Sequence, residues 1–228
     1  MVFRTNEAYN RWWEGRMMWD NIVASSRNLA RISCALVDEK ELLASIVRWT
    51  IAFTVNTKQH LRFEWHPTEL QQILTEADIE LLANSEHKPL YTLEKLSNFT
   101  REALDSSECP SINSDIWMGM DTNLSNFGNA LSSCERILTT PFPFAYVVHL
   151  RTFMILWLLL LPFAVLDECE WLTIPIVFVV AYAMLGIEAV AVEIENPFGH
   201  DYNDLKLSKY CSTVELNLLE LLERRVKW

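Results

Sequence analysis

Between Glu193 and Leu207 the chain reads Glu-Ile-Glu-Asn-Pro-Phe-Gly-His-Asp-Tyr-Asn-Asp-Leu-Lys-Leu, and four of these residues, Glu193, Glu195, Asp201 and Asp204, carry carboxylates. Ionised carboxylates only accept hydrogen bonds, so a cluster of them needs donors, cations or water. Pro197 and Gly199 break any helix that enters the segment. A second group with chemical potential is His60, Glu64 and His66, spaced H-x3-E-x-H. Imidazole and carboxylate together suit a transition metal. Pro67 follows directly and biases His66 away from helical geometry, so the three side chains need not converge. The third is Arg16, set among Tyr9, Trp12, Trp19, Val23 and Ser26 at helical spacing. A guanidinium there pairs with Glu14 or Asp20, stacks on a ring, or faces a passing ion.

The remaining chemistry is sparse. No Gly-rich phosphate loop, HExxH or GxSxG occurs, so nothing argues for an enzyme. Cysteines 34, 109, 134, 169 and 211 form no CxxC pair, which predicts reduced and mostly buried thiols. A formal net charge of -11 argues against bulk nucleic-acid binding, which needs a basic face. Met1-Val2-Phe3-Arg4 does not read as a secretory leader.

Stepping outward to the elements, Phe153 to Leu166 is uncharged, broken only by Pro162, and extends back across Arg151 to Ala145. Trp171 to Ile187 is also uncharged, and apolar character continues past Glu188 to Val192. Each run approaches the roughly 20 residues that a helix needs to cross a bilayer. Asp167-Glu168-Cys169-Glu170 links them, which predicts a transmembrane hairpin. The competing reading is a buried hairpin in a soluble helical core. Arg136 and Arg151 precede the hairpin, and Lys206, Lys209, Arg224, Arg225 and Lys227 follow it. The positive-inside rule then puts both flanks on the cytoplasmic side or its organelle equivalent.

The rest reads as an aqueous helical bundle. A helix over about 39–61 places Leu42, Ile46, Trp49, Phe53 and Thr57 on one face. Short helices and turns are expected over 67–88. Another helix starts with Leu90, Leu93, Leu96 and Phe99 and ends near Cys109-Pro110. Ile116, Met120, Leu124, Phe127, Leu131, Cys134 and Leu138 form a seam for another helix or another subunit. Two prolines, Pro141 and Pro143, make a stiff elbow into the first span. Ser212-x-x-Glu215 fits a capping box, followed by an amphipathic helix through Val214, Leu218 and Leu221. The expected class is all-α: a bundle over 1–139, a membrane hairpin over 140–193, and a loop with a C-terminal helix over 194–228.

Three segments carry a resemblance to a known family. They are Phe3-Arg4-Thr5-Asn6-Glu7-Ala8-Tyr9, Thr139-Thr140-Pro141-Phe142-Pro143-Phe144, and Glu195-Asn196-Pro197-Phe198-Gly199 with the acidic loop beyond. In this order they resemble the bestrophin family of ion channels. The resemblance implies a pentameric, almost entirely helical channel in a plasma or organelle membrane such as the thylakoid. Its cargo would be chloride, other small anions and conceivably bicarbonate, although some bacterial relatives pass cations. It implies a hydrophobic ring at Ile116 and a first transmembrane helix and neck upstream of the Phe3 motif. Their absence here suggests a truncated copy that forms no selective pore alone. The alternative is a non-conducting, membrane-anchored helical protein. Animal members bind calcium in the loop after Asn-Pro-Phe-Gly, which implies Asp201 and Asp204 as ligands here. His200, Tyr202 and Asn203 replace other acids, and calcium wants six to eight oxygens. A structural turn is therefore the favoured reading of the loop.

Overall fold

A computed structural model describes residues 2–106, 109 and 112–226, with side chains from Arg4 to Arg225. Among these residues every regular element is helical: α1 Val2–Leu36, α2 Lys40–Leu61, α3 Glu76–Ala83, α4 Lys88–Asp105, α5 Ser114–Thr139, α6 Phe144–Cys169, α7 Thr173–Glu193 and α8 Leu207–Val226. Short 3-10 turns lie at Pro67–Glu69 and Glu170–Leu172. By internal contact the chain divides into two units, one of residues 15–136 and 205–228, the other of residues 1–14 and 137–204.

The first unit is built around α2. From Leu42 to Leu61 it is buried almost all round, not on the single face that its periodicity predicts. Most of its polar side chains find partners where they lie, as buried polar groups usually do, although Asn56 Oδ1 and Thr57 Oγ1 do not. Thr50 Oγ1 donates to the Ile46 carbonyl at 2.7 Å, Thr54 Oγ1 to Ile51 at 2.8 Å, and Asn56 Nδ2 to Thr92 Oγ1 at 2.9 Å. Lys58, almost fully enclosed, pairs with Glu69 at 2.5 Å. Burial works against the Glu69 charge, yet hydrogen bonds from Lys58 and Gln59 hold its carboxyl below the usual range. Phe53 of α2 meets Phe127 of α5 with ring centroids 4.7 Å apart, both fully buried.

Helix α5 follows its predicted seam. Met120, Leu124, Phe127, Leu131 and Cys134 are all buried within the chain. Of the two partners expected for this seam, another helix is the one found; the alternative, a second subunit, is corrected, because the central stations are already covered inside the chain. Helix α8 begins at Leu207, five residues ahead of the expected capping box. Ser212 consequently sits inside the helix and donates back to the Ser208 carbonyl at 3.0 Å. Cys211, Val214 and Leu218 face inward as predicted. Helix α4 stops at Asp105, short of the expected end; Pro110 lies outside the described residues.

In the second unit α6 and α7 form the hairpin. The reversal is tighter than the sequence suggests: α6 continues through Asp167, Glu168 and Cys169, and the chain turns over Glu170–Leu172 with Glu170 at φ 47°. Pro162 stays within α6, as prolines do in membrane helices whose freed carbonyls find other partners. Only 6% of the most apolar stretch of Phe144–Glu193 is buried inside the chain, so its apolar side chains point outward. That excludes the rival reading of a hairpin enclosed in a soluble core.

Candidate functional site

The residues singled out by motif gather mainly in the second unit. Arg4, on the first turn of α1, is buried, with 3% of its side chain exposed. It donates to Glu188 of α7 and reaches Glu195 at 3.4 Å. Arg151 of α6 approaches the same Glu188 oxygen through Nε at 3.3 Å and a terminal nitrogen at 3.2 Å. Arg151 and Glu188, the two charges that interrupt the apolar runs, thus neutralise each other. Arg4 supplies a second cation from a point 184 residues away in sequence. An Arg can divide its planar fork between two carboxylates, which a Lys cannot.

Arg11 is a site residue that no sequence signal singles out. Its guanidinium donates to the carbonyls of Ile137 and, at 2.5 Å, Thr140, where α5 ends. It also stacks 5.5 Å above the Phe142 ring. A cation at the carbonyl-rich end of a helix is favoured by its dipole, and here it also braces the Pro141–Pro143 elbow. Trp12 Nε1 donates to the Asn203 carbonyl at 3.0 Å, and Asn203 Nδ2 donates to Glu193 at 2.9 Å. The first turns of α1 are therefore tied to α5, α7 and the loop. Thr5 is half-buried, Asn6 exposed, and the half-exposed Tyr9 stacks on Trp12 at 6.2 Å. The Phe3 side chain lies outside the described residues.

The loop is held from within. Asn196 Oδ1 accepts the Phe198 N–H at 3.3 Å, and Phe198 and Pro197 are buried. Asp204, also buried, accepts the Asp201 N–H at 2.7 Å through Oδ2. Gly199 is required by this arrangement: a Cβ there would lie 2.7 Å from that same oxygen. Asp204 is therefore engaged in folding the loop, while the Asp201 side chain is exposed. Among the described residues these carboxylates do not assemble as three close ligand atoms.

Gly199→Ala should displace the Asp204 carboxylate from the Asp201 N–H. Hydrogen bonds to a charged group are worth about 1.5–3 kcal/mol, so the variant should lose roughly 2 kcal/mol of stability. It should also become sensitive to proteolysis beside the exposed Tyr202. Melting with limited digestion checks this; a variant as resistant as the parent would contradict it.

Ile116 lies on the first turn of α5, half-buried, with its N–H capped by Asn113 Oδ1 at 2.9 Å. Arg16 does both things expected of it within the protein: it pairs with Asp20 and lies 5.0 Å over the Tyr210 ring, which itself stacks on the buried Trp19. The H-x3-E-x-H triple does not converge. Phe63 takes a left-handed φ of 56° and reverses the chain after α2, leaving His66 3.6 Å from Glu64 and away from His60. His60 instead meets His87 and Glu135. Among the described residues no disulfide joins the cysteines; Cys211 is enclosed, and burial pushes its thiol up to about 11.

An outward-facing apolar hairpin, closed at its base by paired charges and joined to a helical bundle, defines a multi-pass integral membrane protein of the all-α class. The particular family follows from comparison. The model of the family described as Bacterial/Fungal Bestrophin protein matches residues 1–220, and the chain belongs to the bestrophin family. It is 38% identical to a voltage-dependent anion channel-forming protein of Nostoc sp., over 97% of this chain and 73% of that protein. It is 28% identical to the chloroplastic voltage-dependent chloride channel 2 of Arabidopsis thaliana, over 99% of this chain and 53% of that one. Among solved structures it is similar to a bacterial bestrophin homolog from Klebsiella pneumoniae. That likeness has a TM-score of 0.90 and 29% identity, and covers 97% of this chain and 82% of the other.

Proposed function

We propose that this protein is an anion channel subunit, passing chloride and related small anions through a closed ring of copies, five by the family's habit. The observation that carries this reading is kinship along almost the whole chain with proteins named as anion channels. The charge arrangement agrees with it: Arg151 and Glu188 are paired to each other and not offered to a passing ion. In this reading 140–193 is the bilayer hairpin, while 1–139 and 194–228 lie on the side favoured by the basic flanks. Ile116 lines a narrow apolar aperture on the aqueous part of the path, where a hydrophobic ring selects and gates by dewetting. Asp201 and Asp204 belong to a structural turn that holds α1 and α7, with calcium not required for its fold.

The test is ion flux from liposomes containing the purified protein, and it decides between this reading and the sequence-based expectation that the chain alone forms no selective pore. Chloride efflux well above protein-free vesicles, exceeding sodium efflux, is expected. Ile116→Ala should widen the aperture and raise the permeability of bulky anions relative to chloride severalfold. Flux no greater than in empty vesicles would favour the non-conducting, membrane-anchored reading. An unaltered anion series in Ile116→Ala would remove that residue from the path.

A further inference from the structure

We propose that His60, His87 and Glu135 form a binding site for a divalent transition-metal ion of the zinc class. His60 is the penultimate residue of α2, His87 caps the start of α4, and Glu135 lies near the end of α5. Nε2 of each histidine lies 2.8 Å from the same Glu135 oxygen, Oε1. The ring centroids are 4.6 Å apart, and one ligand atom from each of the three residues falls within a span of 4.8 Å.

Two imidazoles and a carboxylate are a donor set that zinc accepts, leaving a fourth position for water. Tetrahedral bonds of about 2.0–2.1 Å hold ligand atoms about 3.3 Å from one another. Each nitrogen–oxygen pair here needs to open by only about 0.5 Å from its hydrogen-bonded distance. The side chains are 30%, 37% and 30% exposed, so an ion can enter and retain a water. All three belong to the same compact unit, so no rearrangement between the units is called for.

The proton arithmetic makes a specific demand on His87. Its Nδ1 accepts the Leu90 N–H at 3.2 Å, so the proton of the neutral ring resides on Nε2 and points at Glu135. Metal ligation through Nε2 moves that proton to Nδ1 by way of solvent, with no net change in ring charge. Nδ1 then ceases to accept, and the Leu90 N–H loses its cap. Loss of one helix cap is a small cost beside the free energy of a three-ligand zinc site. Zinc therefore exchanges the cap of α4 for a clamp joining α2, α4 and α5.

Titration of the intact, detergent-solubilised chain with zinc chloride tests the site, with retained metal counted after gel filtration. One zinc per chain is expected, together with faster hydrogen exchange of the Leu90 amide. Three variants dissect it. His60→Ala removes one ligand. His87→Asn keeps a helix-capping side chain but removes the imidazole. Glu135→Gln keeps an acceptor for both histidines but removes the charge. Each should weaken zinc binding by about 100-fold or more, the upper end of what even an outer-sphere partner costs. The variants should retain parental helicity and elution, so lost binding is not lost folding. The cysteine thiols offer an internal control: zinc retained equally by all three variants would place it on thiols and overturn the proposal. Absence of retained zinc in the parent, or an unchanged Leu90 amide on saturation, would overturn it too.

Discussion

Arg4→Met should lower the stability of the protein by about 3–5 kcal/mol, the range seen when one partner of a buried ion pair is removed. Glu188 has only 11% of its side chain exposed, and Arg4 is its most enclosed partner. Without Arg4, the carboxylate keeps only Arg151, whose side chain is half exposed and correspondingly screened. At roughly 2–4 °C per kcal/mol for a chain of this size, the melting temperature in detergent should fall by about 10 °C. Arg4→Lys should recover part of the loss, since an ammonium reaches Glu188 but cannot also fork to Glu195. The triple variant Arg4→Met, Arg151→Met and Glu188→Leu is the informative one, since both arginines share Glu188. Replacing a whole buried charge cluster by apolar groups is often neutral, so it should melt above the single variant. A single variant that melts with the parent would show the pair to be dispensable.

Phe127→Ala should cost a similar amount, about 3–5 kcal/mol, because it removes a fully buried ring and leaves a cavity that the helices only partly close. Its ring meets Phe53 at 4.7 Å, and such contacts add about 0.5–1.5 kcal/mol beyond burial. The pair of alanine variants should accordingly be less damaging together than the sum of each alone. Thermal melting of the four-member cycle measures that coupling; strict additivity would mean that the rings fill space independently. Phe127→Leu should lose far less.

These two cores differ in how visible they were in the sequence. Phe127 sits in a clean seven-station seam that periodicity marks as a packing face, with its partner left open between another helix and another subunit. The hairpin was equally legible, since length and lack of charge suffice to mark a span. Helix α2 was underread: its Thr-Val-Asn-Thr-Lys-Gln stretch looks like a solvated face, and only partners on α4, α8 and the Pro67–Glu69 turn make it a buried one. Arg4 and Glu188 are 184 residues apart, and no local signal joins them. The same holds for His60, His87 and Glu135, whereas the nearby H-x3-E-x-H spacing pointed to a triple that a single left-handed residue, Phe63, pulls apart. The Ser212 capping box matched its pattern yet lies within α8, since helical propensity from Leu207 onward outweighs one local cap. In the acidic loop, composition suggested ligands, while the role of Asp204 follows from Gly199 leaving room for its carboxylate.

The pairing of Arg151 with Glu188 also bears on how the protein is made. A helix entering lipid with a lone charge carries a penalty of about 2.5–3.5 kcal/mol at the bilayer centre, less toward the edge. Helix α6 emerges from the ribosome first and brings Arg151; its counter-charge arrives 37 residues later. The favourable course is for α6 to wait at the insertion machinery until α7 is complete, and for the two to leave sideways into lipid together. Arg4, synthesised earliest, closes the arrangement last, when the beginning of the chain folds back onto a hairpin already in place.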